Sequence, residues 1–215
     1  SDFLKITTVE NKKWPRYESP LNQEKILVPV GGGKDSIVTL EILNEANKKI
    51  NCLSLNPTPA STQIINLAGY QNPIFVRREI DKTLLNLNQK GYLNGHTPFT
   101  AYLAFLSVFC GVIFDYGKIA ISNERSANED NLTWKGLKIN HQYSKSFESE
   151  KKINLYSKKY LALDIHYFSF LQPLYEIQIA KLFAQYPSYF SIFRSCNKNQ
   201  KTNSWCNECP KCLSS

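Results

Sequence analysis

Short apolar runs alternate with amphipathic stretches through most of the first half of the chain, up to position 125. Residues 25–30 (KILVPV) form an apolar run closed by glycines, the pattern of a buried strand. Ile37, Leu40 and Leu43 then recur at helical spacing, with Asp35 or Ser36 suited to cap the helix start. A second strand is predicted over 51–57, where Pro57 closes it, and a helix over 61–70. A third strand over 73–80, a helix over 81–91, a long apolar helix over 98–116 and a fourth strand over 118–123 follow. Beyond residue 125 the periodicity fades into a polar stretch rich in Lys, Asn and Glu, and a helix-strand-helix series resumes over 163–183.

Strands alternating with helices predict an α/β fold with a doubly wound parallel sheet. Ligands of such sheets sit beyond the carboxyl ends of the strands, where the strand order reverses. The glycines after the first strand, Asn56 after the second and Ser122-Asn123-Glu124 in the fourth all fall at that edge. The chain divides into a lead-in over 1–24, an α/β domain over 25–194 and a cysteine-rich segment over 195–215. It starts without Met and ends shortly after a cysteine, so a portion of a longer protein is expected.

Composition changes this picture little. Hydrophobic content of 42% is that of a globular protein. The longest apolar stretch, 99–114, is too short for a membrane span and reads as a buried helix. The opening segment, SDFLKITTVENKKWPRY, carries no export or transit signal, so the expected setting is cytoplasmic. Net charge is +8, yet most of the 26 basic residues are Lys scattered along the chain. Scattered lysines fit an anionic small-molecule substrate, and nucleic acid is not the expected partner.

The loop Gly31-Gly32-Gly33-Lys34-Asp35-Ser36 carries the first chemistry. Consecutive glycines let several backbone N–H groups converge on an anion, and the following helix adds its N-terminal N–H groups. A Walker loop is excluded by Asp35, which stands where that loop needs its metal-binding hydroxyl. A dinucleotide loop is disfavoured because its glycine spacing is absent. These residues resemble the Ser-Gly-Gly-x-Asp-Ser loop of the PP-loop ATP pyrophosphatases, with Gly31 in place of the first Ser. The resemblance implies the adenine nucleotide alpha hydrolase-like fold, magnesium, and cleavage of ATP between the α- and β-phosphates.

Cys196, Cys206, Cys209 and Cys212 follow one another in a C-x9-C-x2-C-x2-C pattern, while Cys52 and Cys110 sit in apolar segments as core fillers. Clustered thiols in a reducing setting favour a metal over disulfides. Four thiolates suit a structural, tetrahedral Zn2+, with an iron–sulfur cluster as the competitor.

Segments 95–108, 121–129, 140–150 and 195–212, in that order, are similar to the UDP-N-acetylmuramoyl-L-alanyl-L-glutamate epimerases of peptidoglycan synthesis. A terminal cysteine site also resembles the PP-loop synthases of 7-cyano-7-deazaguanine, so a nucleoside-precursor or tRNA-modifying enzyme stands as the alternative. A non-catalytic nucleotide-binding module is a third reading. The epimerase resemblance implies ATP, Mg2+ and Zn2+, and a UDP-linked muramoyl dipeptide whose terminal L-Glu is adenylated and inverted. Candidate catalytic residues are then Glu124, Arg125, His141, Tyr143, Lys145 and Glu148, with Gly31 through Ser36 on the nucleotide. His96 reads as a helix-entry group and His166, in an apolar strand, as a packed core histidine.

Overall fold

The computed structural model describes residues 14–93, 98–196, 198–199 and 202–213. His96 and positions 1–13 of the lead-in lie outside them. Five parallel strands are ordered β3-β2-β1-β4-β7, with β1 at Lys25–Pro29, β2 at Lys49–Leu55, β3 at Ile74–Val76, β4 at Lys118–Glu124 and β7 at His166–Leu171. The order grows one way from β1 to β3 and the other way from β4 to β7, so the reversal falls between β1 and β4. The doubly wound parallel sheet expected from the alternation is present.

Both faces of the sheet are buried, which is why its central strands are almost wholly apolar. Ile26, Val28 and Val30 pack on one face with Ile37, Leu40 and Leu43 of α1 (Lys34–Glu45), Ile64 and Ile65 of α2 (Pro59–Leu67), and Ile179 and Phe183 of α6 (Glu176–Phe183). Leu27, Leu53, Ile119 and Ile121 pack on the other with Ala104 and Val108 of α4 (Phe99–Ile113) and Ile153 of α5 (Phe147–Tyr156). Cys52 and Cys110 are buried, one in each core. A short helix α3 (Lys82–Gln89), with no buried residue, connects β3 towards α4. The described part of the lead-in is tied down by a bridge in which Tyr17 N–H donates to the Leu161 carbonyl at 2.7 Å, by Leu21 N–H donating to Asp164 Oδ2 at 3.0 Å, and by the buried Leu21 side chain.

Edge strand β7 is sealed by side chains rather than by another strand. Glu150 of α5 accepts from Ser169 N–H at 2.8 Å, and Asn154 both accepts from Tyr167 N–H at 3.0 Å and donates to its carbonyl at 2.6 Å. An edge covered in this way offers no template for further pairing.

Several boundaries differ from the pattern reading. Helix α1 begins at Lys34, so Gly33 is its N-cap and neither Asp35 nor Ser36 caps it; Ser36 Oγ instead donates to the Gly33 carbonyl at 2.9 Å. The polar stretch after residue 125 contains a hairpin, β5 (Leu132–Trp134) with β6 (Leu137–Ile139), turning through Lys135 and Gly136 at positive φ, and then α5. His166 is exposed, because it opens β7 and the alternation places Tyr167, not its neighbour, in the core. The cysteine-rich segment ends in a single turn, α7 (Pro210–Leu213). Among the described residues no helix is long and apolar enough to cross a membrane.

Candidate active site

The glycine loop leaves β1 at the switch point and turns directly into α1. Gly32 adopts φ +101°, a conformation that a side chain makes costly, and a Cβ there would sit 3.2 Å from Ala60 Cβ and 3.3 Å from Ser61 N. At Gly33 a Cβ would sit 3.2 Å from Ser195 Oγ. Bare backbone is therefore required at Gly32, where the chain passes α2, while a side chain at Gly33 would press on Ser195 Oγ and turn it aside. No side chain caps α1, which leaves its N-terminal N–H groups and its positive dipole end available to an anion.

A polar crevice of about 100 Å³ opens beside this loop. Asp35 comes from the loop, Ser122, Asn123 and Glu124 from the end of β4, Ser126 and Ala127 from the following 3-10 turn, Gln142 and Lys145 from a second 3-10 segment, Glu176 from the start of α6, and Lys211 from the cysteine segment. Five separate pieces of chain converge here, since the end of β4 runs straight into its 3-10 turn. Thr39 ties two of them together, donating to Ser122 Oγ at 2.9 Å.

Charge in the crevice is arranged in pairs. Lys34 is only 4% exposed, and its Nζ donates to Glu176 Oε1 at 2.9 Å and lies 3.6 Å from Asp35 Oδ1. Burial alone would lower this ammonium, but Asp35 and then Glu176 outweigh it and hold the pKa above that of an ordinary lysine. The hydrogen bond from Lys34 in turn lowers the Glu176 carboxyl against the opposing effect of burial. Lys145 behaves in the opposite way: burial first, and then the Lys211 charge, lower its pKa, with Asp35 and Glu124 opposing. Its Nζ donates to Gln142 Oε1 at 2.9 Å.

Of the six residues that sequence put forward for catalysis, Glu124 and Lys145 line the crevice together with Asp35 of the loop. Glu124 also accepts from Ser126 N–H at 2.7 Å, which fixes its carboxylate. The other four stand outside that lining. Arg125 is exposed and stacks over the Tyr175 ring at 4.9 Å, while its N–H donates to the Leu174 carbonyl. His141 is exposed, with its N–H donating to Asn131 Oδ1 at 3.2 Å. Tyr143 Oη accepts from Lys152 at 2.6 Å, and Glu148 pairs with the same lysine at 2.7 Å on the outer face of α5. Sequence reasoning passed over Gln142, Glu176 and Lys211. Glu176 carried only a weak signal, an acid at a helix start, and Lys211 carried none beyond its place between two cysteines.

Cys196, Cys206, Cys209 and Cys212 present four sulfurs all within 4.8 Å of one another. Separations of 3.4 Å for Cys209–Cys212 and 3.7 Å for Cys206–Cys212 approach the roughly 3.8 Å edge of a tetrahedron with metal–sulfur bonds of about 2.3 Å. Backbone N–H groups of Asn199 and Cys209 point at the sulfurs of Cys196 and Cys206, at 3.2 and 3.3 Å. The donor set fits a single thiophilic ion with no position left open.

Residues 2–170 match the MurL N-terminal domain family. The chain belongs to that family. Two curated relatives carry the name UDP-N-acetyl-alpha-D-muramoyl-L-alanyl-L-glutamate epimerase: one from a Micromonospora strain, 41% identical over 92% of this chain and 45% of its own, and one from Xanthomonas oryzae pv. oryzae, 32% identical over 86% and 42%. The chain thus spans less than half the length of the MurL relatives it matches. A solved structure described as a predicted subunit of tRNA methyltransferase, from Methanocaldococcus jannaschii, superposes over 75% of each chain with a TM-score of 0.46 and 14% identity.

Proposed function

We propose that this MurL-family chain forms the ATP-using part of an epimerase that inverts the terminal L-Glu of UDP-MurNAc-L-Ala-L-Glu in peptidoglycan synthesis. One observation carries the reading: α1 starts with no side-chain cap straight after the glycine loop, and Asp35 of its first turn lines the same crevice as Glu124 and Lys145. Gly31 through Ser36 hold the pyrophosphate end of ATP on backbone N–H groups. A crevice of about 100 Å³ admits phosphate groups rather than a whole nucleotide, so the adenosine lies along the carboxyl edge of the sheet outside it.

The chemistry follows from acidity. The α-proton of glutamate is poorly acidic beside an ionised carboxylate, because its removal would place two negative charges on adjacent atoms. Attack of the α-carboxylate oxygen on the α-phosphorus of ATP forms a P–O bond, breaks the bond to the β-phosphate bridge and expels pyrophosphate. The resulting acyl adenylate no longer carries the carboxylate charge, and its carbonyl accepts the electron pair left when the α-proton goes. A proton returned to the opposite face gives the D configuration. Water then attacks the acyl carbon and releases AMP and the free D-glutamyl carboxylate.

Lys145 is the acid-base group of the crevice: it lines the site beside Asp35 and Glu124, and burial together with the Lys211 charge makes its ammonium a readier proton donor than an ordinary lysine. Asp35 and Glu124 offer carboxylate oxygens suited to Mg2+, which when bound would screen the phosphate charge. Zn2+ is the ion for the four sulfurs; their spacing suits one metal centre rather than the wider core of an iron–sulfur cluster. Arg125, His141 and Tyr143 each adjoin a crevice residue in sequence, and with Glu148 they belong to the longer, UDP-sugar end of the substrate.

Pyrophosphate release from ATP, measured with and without the nucleotide-linked dipeptide while glutamate chirality is followed, tests the proposal. Release that depends on the L-Glu dipeptide and yields D-Glu is expected. Release with a deazapurine acid or tRNA instead would replace this reading with the nucleoside-modification one.

A further inference from the structure

The cysteine segment contributes Lys211 to the crevice lining, and three contacts join it, with Arg194 just before it, to the glycine loop and to Glu176 of α6. Arg194 N–H donates to the Gly32 carbonyl at 2.8 Å. Ser195 Oγ occupies the space that closes over Gly33. Lys211, flanked by Cys209 and Cys212, brings its Nζ to 3.8 Å from Glu176 Oε1, the same oxygen that accepts from Lys34 at 2.9 Å. One carboxylate is therefore shared between a lysine of the loop and a lysine of the metal knuckle.

Anchoring alone does not explain that arrangement. The backbone bond from Arg194 already fastens the segment to the loop, and Glu176 already has a hydrogen-bonded ammonium in Lys34. At 3.8 Å the Lys211–Glu176 contact is a longer-range ion pair, and Lys211 lines the crevice together with Asp35, Ser122 and Lys145. A lysine is a compact cation on a long stem, suited to meeting a phosphate as a point charge.

We infer that Lys211 is an anion-binding residue of the nucleotide site, meeting the polyphosphate chain in the crevice that it lines together with Asp35 of the α1 start. The four-cysteine knuckle is what holds it there. Cys209 and Cys212 fix the backbone on both sides of Lys211, and Cys212 N–H donates to the Cys209 carbonyl across it at 2.9 Å. A metal on the four sulfurs would make that short turn rigid, so a site remote from the reacting atoms would still set the affinity for polyphosphate. The inference rests on reading the loop as a polyphosphate site.

Calorimetric titration of the metal-loaded protein with inorganic pyrophosphate and with ATP provides the test, with metal content measured on every sample. Lys211→Ala should weaken pyrophosphate binding about tenfold or more, as expected for a lost charge-assisted contact, with the metal retained. Lys211→Arg should recover most of the loss. Unchanged pyrophosphate affinity in metal-bound Lys211→Ala would overturn the inference, because a merely structural lysine would alter metal retention and not anion affinity. If Lys211→Ala loses the metal, Lys211→Gln, which keeps the stem, replaces it, and the same two results decide. A wild-type protein that binds neither pyrophosphate nor ATP would instead bring down the reading of the loop itself.

Discussion

Two depressions on this molecule differ in almost every respect. Over α4 and the turn after α5 lies a groove of about 710 Å³ walled by Trp14, Phe105, Phe109, Tyr156 and Tyr160. At the carboxyl edge of the sheet lies a crevice of about 100 Å³ walled by carboxylates, amines and amides. Volume favours the first and chemistry the second. Apolar walls can take up surface, but a phosphate is recognised by oriented N–H groups and fixed charges, which cost no rearrangement at the moment of reaction. The groove draws mainly on α4 and the end of α5 with the turn after it, whereas the crevice gathers five separate pieces of chain at the point where the sheet changes direction.

Substitutions in each place can break that contrast. The largest effect is expected from Gly33→Asp, which sets a carboxylate among the N–H groups proposed to hold pyrophosphate. ATP-dependent pyrophosphate release should fall by roughly a thousandfold or more while metal content stays at the wild-type level. Retained turnover would remove the loop from the mechanism. Next, Lys145→Met should reduce the rate of glutamate inversion by about a hundredfold, and Lys145→Arg should not restore it, since a guanidinium cannot give up its proton. Rescue by arginine would leave Lys145 a purely electrostatic role.

A smaller effect concerns stability. Folding lowers the Glu176 carboxyl below its unfolded value of 4.5, chiefly through the hydrogen bond from Lys34. The stabilisation from Glu176 is therefore complete above that value and is lost as pH falls through the lower folded one. In urea unfolding the stability gap between wild type and Glu176→Gln should be constant near neutrality and close below about pH 4.5. A gap that does not change with pH would mean that the carboxylate is not held by its lysines. The smallest effect belongs to the groove: Phe109→Ser, at a ring already 62% exposed, should change ATP affinity less than about twofold. A tenfold loss there would show that the two depressions work as one site.

Local pattern made the sheet legible, because β1, β2 and β4 are apolar runs closed by glycine, proline or asparagine. The hairpin of β5 and β6 is invisible to such a pattern because every residue of its two strands is exposed and carries no burial alternation. Helix α5 is hidden for a related reason: only Ser149 and Ile153 of it are buried. His166 lies outside the core although its run is apolar, because such a run does not reveal which strand end projects beyond the covered face. The glycine loop and the four cysteines could be found by spacing. Their closeness could not, since Lys34 and Glu176 meet across 142 positions and Lys211 joins them from the far end of the chain. Six candidate catalytic residues came from two polar motifs, and of these only Glu124 at the end of β4 and Lys145 at the end of a 3-10 segment line the crevice, a sorting that sequence spacing does not reveal.

The central claim is that the glutamate α-carboxylate is joined to AMP before its proton moves. Substrate labelled with 18O in that carboxylate, turned over with unlabelled ATP and analysed by mass spectrometry of the nucleotide product, tests it directly. AMP should carry one labelled oxygen for each glutamate inverted; unlabelled AMP, or ADP as the product, would rule out an acyl adenylate.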